Sequence, residues 1–241
     1  MVSVQGLDMR FGDQTVLHSI NLEVGHGEVV AIMGSSGGGK TTLLRCICGL
    51  LQPTRGEILV DDIDVNRQPE EARRHMGMVF QSAALFDYMS VEDNVLFGIR
   101  RQLRLNHADQ LRVAKESLHR VGLEGEEKKM PSELSGGMRK RVGIARALAL
   151  NPRVLLYDEP TTGLDPITAY TIDSLIVNLR KDLKVTSLVV SHDVSSVYRV
   201  ADRIAFLHEG RLIFDGTPEQ FSKTSDESIQ ELVRKAAATR L

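Results

Sequence analysis

The residues Gly34-Ser35-Ser36-Gly37-Gly38-Gly39-Lys40-Thr41 satisfy the pattern G-x-x-x-x-G-K-[ST] in full, and Thr42 follows. The pattern carries a mechanism. Glycines let backbone N–H groups curl around phosphate oxygens without Cβ collisions. A helix that starts there turns its positive end toward the same oxygens. Lys40 then reaches the β- and γ-phosphates, and Thr41 offers its hydroxyl to Mg²⁺. A glycine-rich turn can match by chance, so the context decides. Glu28-Val-Val-Ala-Ile-Met33 in front is apolar with small residues, as a buried parallel strand is. Behind it, Leu43, Leu44, Ile47 and Leu50 repeat at helical spacing. Strand, loop and helix in that order predict an ATP phosphate site.

A second cluster fits the same chemistry. Val154-Leu-Leu-Tyr-Asp158-Glu159 reads as an apolar strand ending in two carboxylates. Asp158 is suited to holding Mg²⁺, through water. Glu159, one residue on, is expected to point elsewhere, because side chains alternate along a strand. There it can take a proton from an attacking water, or orient that water.

The elements needed to hold these groups can be read along the chain. Val2 to Met9, Asn21 to Val24 and Glu28 to Met33 read as strands, separated by Gly12-Asp13 and Gly25-His26-Gly27. Gly56 to Asp61 and Met76 to Phe80 are further strands. From Ser82 to Leu150 the pattern turns helical: Ser90 is an N-cap before Val91 to Phe97. Leu111, Ala114, Leu118 and Val121 share one helical face, and Val142, Ala145, Leu148 and Ala149 another. Asp165-Pro166 opens a helix, with Asp as cap and Pro in the first turn. Ile172, Leu175, Ile176, Leu179 and Leu183 form its stripe. Ser187 to Ser191 is a buried strand, and Ile204 to Leu207 with Arg211 to Phe214 flank a hairpin at His208-Glu209-Gly210. From Ser225 the tail reads as one amphipathic helix, with Ile229, Leu232, Val233 and Ala236 on one face. It can pack on its own core or on a partner.

The expected fold class is α/β: a P-loop NTPase core with a mostly parallel sheet, an N-terminal antiparallel β subdomain and an inserted α-helical subdomain. As a single domain, 1–81 and 151–220 form the core, 82–150 the helical subdomain and 221–241 the tail.

Composition narrows the function classes. With 241 residues and 42% apolar content the chain can bury a sizeable core. Its net charge of −2 disfavours nucleic acid as a partner. Cys46 and Cys48, the two cysteines, are too few and too close for a disulfide framework or a metal site, so they read as small buried thiols in a reducing compartment. No signal peptide and no run of about 20 apolar residues is visible. If the protein serves a membrane, it docks on subunits that cross it.

Further features fall in order around the two clusters. Phe11 lies just before the first turn, Gln81 ends a strand, Leu134-Ser-Gly-Gly-Met138 precedes a basic helix, Gly163-Leu-Asp165 follows the acidic pair, and His192 ends another strand in Val189-Val-Ser-His-Asp193. From roughly Val2 to Gly216 this ordered set resembles the nucleotide-binding subunits of ABC transporters. The resemblance implies that Phe11 stacks on adenine and that Gln81 contacts Mg²⁺ and the attacking water while sensing the membrane subunits. It implies Glu159 as catalytic base and His192 as a holder of the γ-phosphate and the water. It also implies that Asp165 links two sites, and that Ser135, Gly136 and Gly137 close over ATP bound to a second copy. The chemistry agrees with that last point: a serine and two glycines opening a helix make a second anion-binding end, and a second copy supplies its phosphate. A head-to-tail homodimer with ATP and Mg²⁺ at the seam follows.

One position departs from the commonest pattern: the fifth signature residue, usually Gln, is Met138. Met130-Pro-Ser-Glu-Leu-Ser-Gly-Gly-Met138 with Arg139 to Arg141, Gln81-Ser-Ala-Ala-Leu-Phe86 and Thr161 to Thr168 resemble the ATPases of Mla-type and related Mce lipid transporters. That resemblance implies a phospholipid or similar lipid as cargo, membrane permease subunits, a lipid-binding envelope protein, and a peripheral position on the cytoplasmic face of the inner membrane. Importers of amino acids or other small solutes, and regulatory ATPases that move no cargo, share the core motifs. A DNA-repair or ribosome-linked relative is disfavoured by the lack of sustained heptads and the single phosphate loop. Leu85, Phe86, Tyr88 and Met89, next to Gln81, either pack the helical lobe or line a groove for a permease helix.

Overall fold

The structure is a computed structural model describing residues 1–35 and 37–238, with side chains described as far as Arg234. Ser36 and Ala236, both singled out in the sequence, therefore fall outside the described side chains. In chain order the elements are β1 (Val2–Phe11), β2 (Gln14–Val24), β3 (Val29–Gly34), α1 (Lys40–Ile47), β4 (Arg55–Val60), β5 (Ile63–Asp64), α2 (Pro69–Arg74), β6 (Met76–Val79), α3 (Val91–Gln102), α4 (His107–Arg120), α5 (Gly136–Leu148), β7 (Val154–Asp158), α6 (Pro166–Leu183), β8 (Thr186–Val190), α7 (Val194–Val200), β9 (Arg203–His208), β10 (Arg211–Gly216), α8 (Pro218–Lys223) and α9 (Glu227–Ala238).

Two sheets result. One is antiparallel, in the order β2-β1-β4-β5; the other runs β10-β9-β3-β8-β7-β6. In the second, β3, β6, β7, β8 and β9 are parallel, and only the pairing of β10 with β9 is antiparallel. The expected α/β class with a separate antiparallel β unit is the observed one.

β3 shows how a continuous apolar run still obeys the two-residue period of a strand. Val30 and Ile32 pack in a cluster with Leu43, Leu44 and Ile47 of α1 and with Leu7, Leu22 and Ile58 of the antiparallel sheet. Ala31 and Met33 pack the other way, against Val194 and Val197 of α7, Phe221 of α8 and Ile229 of α9. Helix α1 is thus clasped between the two sheets, and the phosphate loop is anchored where it begins. The tail question has an answer within this chain: Ile229 is fully buried against the core.

Helices α3, α4 and α5 lie between β6 and β7 and share a third cluster with α6, built on Val95, Leu118, Ile144 and Ile176. Ser90 caps α3, accepting from Asp93 N, and Asp165 caps α6, accepting from Ile167 N and Thr168 N. One expectation is corrected. Leu50 is not on the stripe of α1: the helix ends at Ile47, Gly49 follows with φ 68°, and Leu50 is 53% exposed. The positive φ at Gly49 turns the chain away before Leu50 can reach the buried face.

Candidate active site

The loop is built by close approach. Gly34 has φ 149°, and a Cβ there would stand 2.1 Å from Leu207 O of β9. Gly39 has φ 94°, and its Cβ would meet Leu17 Cδ2 at 2.6 Å and Val16 O at 3.1 Å. The loop is therefore pressed between the parallel sheet and the β1–β2 hairpin, a space only glycine fits. That hairpin carries Phe11 at its tip, 48% exposed. Gly38 N donates to Ser35 O, and the Lys40 ammonium folds back to donate to Gly34 O at 3.0 Å and Ser35 O at 2.9 Å. Burial pulls the Lys40 pKa down, against the attraction of Glu159 and Asp158.

The two carboxylates reach the loop from β7. Thr41 Oγ1 donates to Asp158 Oδ1 at 3.0 Å. Burial pushes the Asp158 carboxyl up, opposed by that hydrogen bond. Glu159 lies beyond the last residue of the strand with φ 50°, and its N–H donates to Val190 O of β8. Its divergence from Asp158 thus comes from a left-handed backbone turn, a conformation strained for glutamate, and not from strand alternation. Thr162 Oγ1 donates to Glu159 Oε2 at 2.5 Å, and His192 Nδ1 lies 2.6 Å from the same oxygen. Gly37, Gly38, Gly39, Lys40, Thr41, Thr42 and Glu159 line one cleft of about 270 Å³.

The remaining candidates lie around this centre. Gln81 sits in an exposed turn two residues past the end of β6, and its carbonyl accepts from Lys140. Ser135 caps α5, accepting from Met138 N at 3.2 Å. Gly137 packs so tightly that a Cβ would meet Thr168 Cγ2 at 2.4 Å, while Gly136 faces Leu164. Asp165 is exposed, and hydrogen bonds from Thr168 and Ile167 hold its carboxyl below the usual range. One chain therefore brings Lys40, Thr41 and Glu159 into one cleft, with Asp158 bonded to Thr41 and His192 beside Glu159. Ser135 to Gly137 form a separate helix end.

A phosphate loop on a parallel strand, a carboxylate bonded to its threonine, and a second carboxylate held by a histidine are the parts of a nucleotide hydrolase. Residues 17–162 match the model of the ABC transporter family. The chain belongs to that family. It is one of the family's ATP-binding ATPases. It is 43% identical over 238 residues to the "Intermembrane phospholipid transport system ATP-binding protein MlaF" of Haemophilus influenzae, covering 97% of this chain and 90% of the relative. It is 38% identical to the "Glutamine transport ATP-binding protein GlnQ" of Escherichia coli, covering 97% and 99%. A solved dimeric ATP-binding cassette in a post-hydrolysis state, bound to ADP and Pi, superposes with TM-score 0.82 at 33% identity, covering 90% of this chain and 99% of that one. No helix among the described residues of this ABC ATPase is long and apolar enough to cross a membrane.

Lys140 and Thr162 carry no role of their own in the sequence reading, though both fall inside stretches named there. Lys140 stands three residues before Gly143 and four before Ile144, which puts a lysine on the buried face of α5. That misfit with the helical pattern was the available signal. Nothing comparable marked Thr162, whose role depends on the turn after Glu159.

Proposed function

We propose that this ATPase powers a transporter of phospholipid or a related lipid in the bacterial envelope, working as a homodimer beneath separate permease subunits at the cytoplasmic face of the inner membrane. The observation that carries the dimer is that one chain holds two glycine-opened helix starts, each suited to an anion. The Lys40 loop forms one, and the capped, glycine-opened start of α5 forms the other. Each end needs a phosphate, and two copies arranged head to tail give both ends the same one. The similarity to the phospholipid-system ATPase across nearly the whole chain supports the cargo. Similarity to a glutamine-transport ATPase favours the second reading, an importer of amino acids.

In this reading Lys40 and the loop N–H groups bind the phosphates. Phe11 stacks on adenine. Glu159, oriented by Thr162 and His192, takes the proton of the attacking water. His192 and Gln81 border the γ-phosphate, and Asp165 connects the two sites. Thr41 and Asp158, with Gln81, would hold Mg²⁺, which supplies charge neutralisation on the phosphates. The donor set fits a hard cation: a hydroxyl and a carboxylate oxygen lie 3.0 Å apart. Among the described residues no group of three or more His, Cys, Asp or Glu could hold a metal ion. The division into core (1–81, 151–220), helical lobe (82–150) and tail (221–241) belongs to the same proposal.

The test is to tag the protein in its own cell, extract membranes in mild detergent and identify what co-purifies. A permease with a lipid-binding envelope protein and phospholipid supports the reading. A permease with a solute-binding protein keeps the ATPase and overturns the cargo. No membrane partner at all overturns the transport role.

A further inference from the structure

Helix α5 grips the site along one face. Lys140 is 5% exposed, and its ammonium donates to Gln81 O and, at 3.3 Å, to Glu159 O. A Cβ on Gly143, three residues on, would stand 3.4 Å from Ala83 Cβ. Arg146, three further, donates to Ala84 O through Nη1 and to Ala83 O through Nη2, both at 2.7 Å. Ala83, Ala84 and Glu159 have φ of 61°, 47° and 50°. Left-handed backbone at non-glycine residues persists only where surroundings hold it. Here the donors of α5 meet a carbonyl at each of the three. Arg146 touches one loop; Lys140 ties two together, the one carrying Gln81 and the one carrying Glu159.

The same helix begins at the Ser135 cap, about 7.5 Å of helix axis before Lys140. We propose that Lys140 is a positioning residue that couples the anion-binding start of α5 to the hydrolytic carboxylate of its own chain, so that engagement of the phosphate held by a second copy sets Glu159 and Gln81 together. The inference rests on the dimeric reading above. Lys140 touches none of the phosphate-loop donors through these bonds, so its loss disturbs turnover and leaves nucleotide binding in place.

The test uses the full-length protein in its purified membrane complex. K140M is expected to lower kcat at least tenfold while the KM for ATP and the affinity for a fluorescent ATP analogue stay within about twofold. K140R, which keeps a buried cation, is expected to recover most of kcat. In a double-mutant cycle on kcat, S135A with K140M is expected to be little worse than the poorer single variant, since both cut one line of coupling. Native kcat in K140M, loss of ATP binding in parallel with kcat, absent rescue by K140R, or effects that multiply in the double variant each overturn the proposal. If K140M does not assemble, K140R and K140Q are compared: an active Arg and a slow Gln support it, and equal rates overturn it. E159Q separates the coupling from the readings beneath it: E159Q protein that stays monomeric with ATP overturns the dimeric reading. Native turnover in E159Q overturns the catalytic assignment itself, whereas a dead E159Q with normal K140M overturns only the coupling.

Discussion

His192 Nδ1 lies 2.6 Å from Glu159 Oε2, the carboxylate oxygen that also receives the Thr162 hydroxyl at 2.5 Å. Two groups from separate loops therefore fix one oxygen of the proposed base. Loss of an orienting group costs rate more than binding. His192→Ala is expected to lower kcat by roughly 10- to 100-fold with ATP affinity within about twofold, measured by steady-state hydrolysis beside analogue titration. A matching loss of affinity would give His192 a binding role instead.

Lys40→Ala removes the one ammonium in the loop. Hydrogen bonds to charged groups contribute about 1.5–3 kcal/mol, so ATP affinity is expected to fall roughly 10- to 100-fold by titration with a fluorescent analogue. Native affinity would strike Lys40 from the phosphate site.

Gly34→Ala tests the packing of the loop against β9. The new methyl would meet a backbone carbonyl at 2.1 Å, and neither strand can withdraw from the sheet cheaply. A loss of at least about 2 kcal/mol, or at least about 4 °C in Tm, is expected. Calorimetry that finds an unchanged Tm would mean the loop is looser than described.

How much of this was legible beforehand follows from where the information sits. The strand before the loop, the capped helices at Ser90 and Asp165 and the ends of the site at Lys40 and Asp158 all rest on local patterns: period, cap chemistry, motif spacing. Leu50 misled because the period of α1 continues in the sequence past the point where Gly49 turns the backbone. Glu159 was placed correctly in the chain but for the wrong geometric reason, since its left-handed φ depends on Val190 O and Lys140, residues distant in sequence. The partners of Gln81, Ala83 and Ala84 were invisible for the same cause: α5 joins them some 60 positions away.

Burial raises the Cys46 thiol to about 12 and raises Cys48 as well. The thiolate is the reactive form, so at pH 8 Cys46 holds roughly a thousandth of the thiolate of a free cysteine. Iodoacetamide is expected to leave both cysteines unlabelled in the folded protein and to label both in urea, read by intact mass. Rapid labelling without denaturant would show that this core opens.

Phe86 and Tyr88 divide the two readings of their segment. Phe86 packs tilted against Phe97 with centroids 4.5 Å apart, whereas Tyr88 is 75% exposed. Phe86→Ala is expected to cost about 2 kcal/mol of stability. Tyr88→Ala is expected to change stability by less than about 0.5 kcal/mol while weakening co-purification with the permease. Intact assembly in Tyr88→Ala would remove this residue from the docking surface.

The Lys40 ammonium is already committed to Gly34 O and Ser35 O. An ammonium has three N–H donors, so one remains for a phosphate oxygen while the other two keep their hold on the loop backbone. The two carbonyls thereby set the direction in which that third donor points. The fold-back of one side chain thus makes Lys40 part of the frame that shapes the loop as well as the source of its charge.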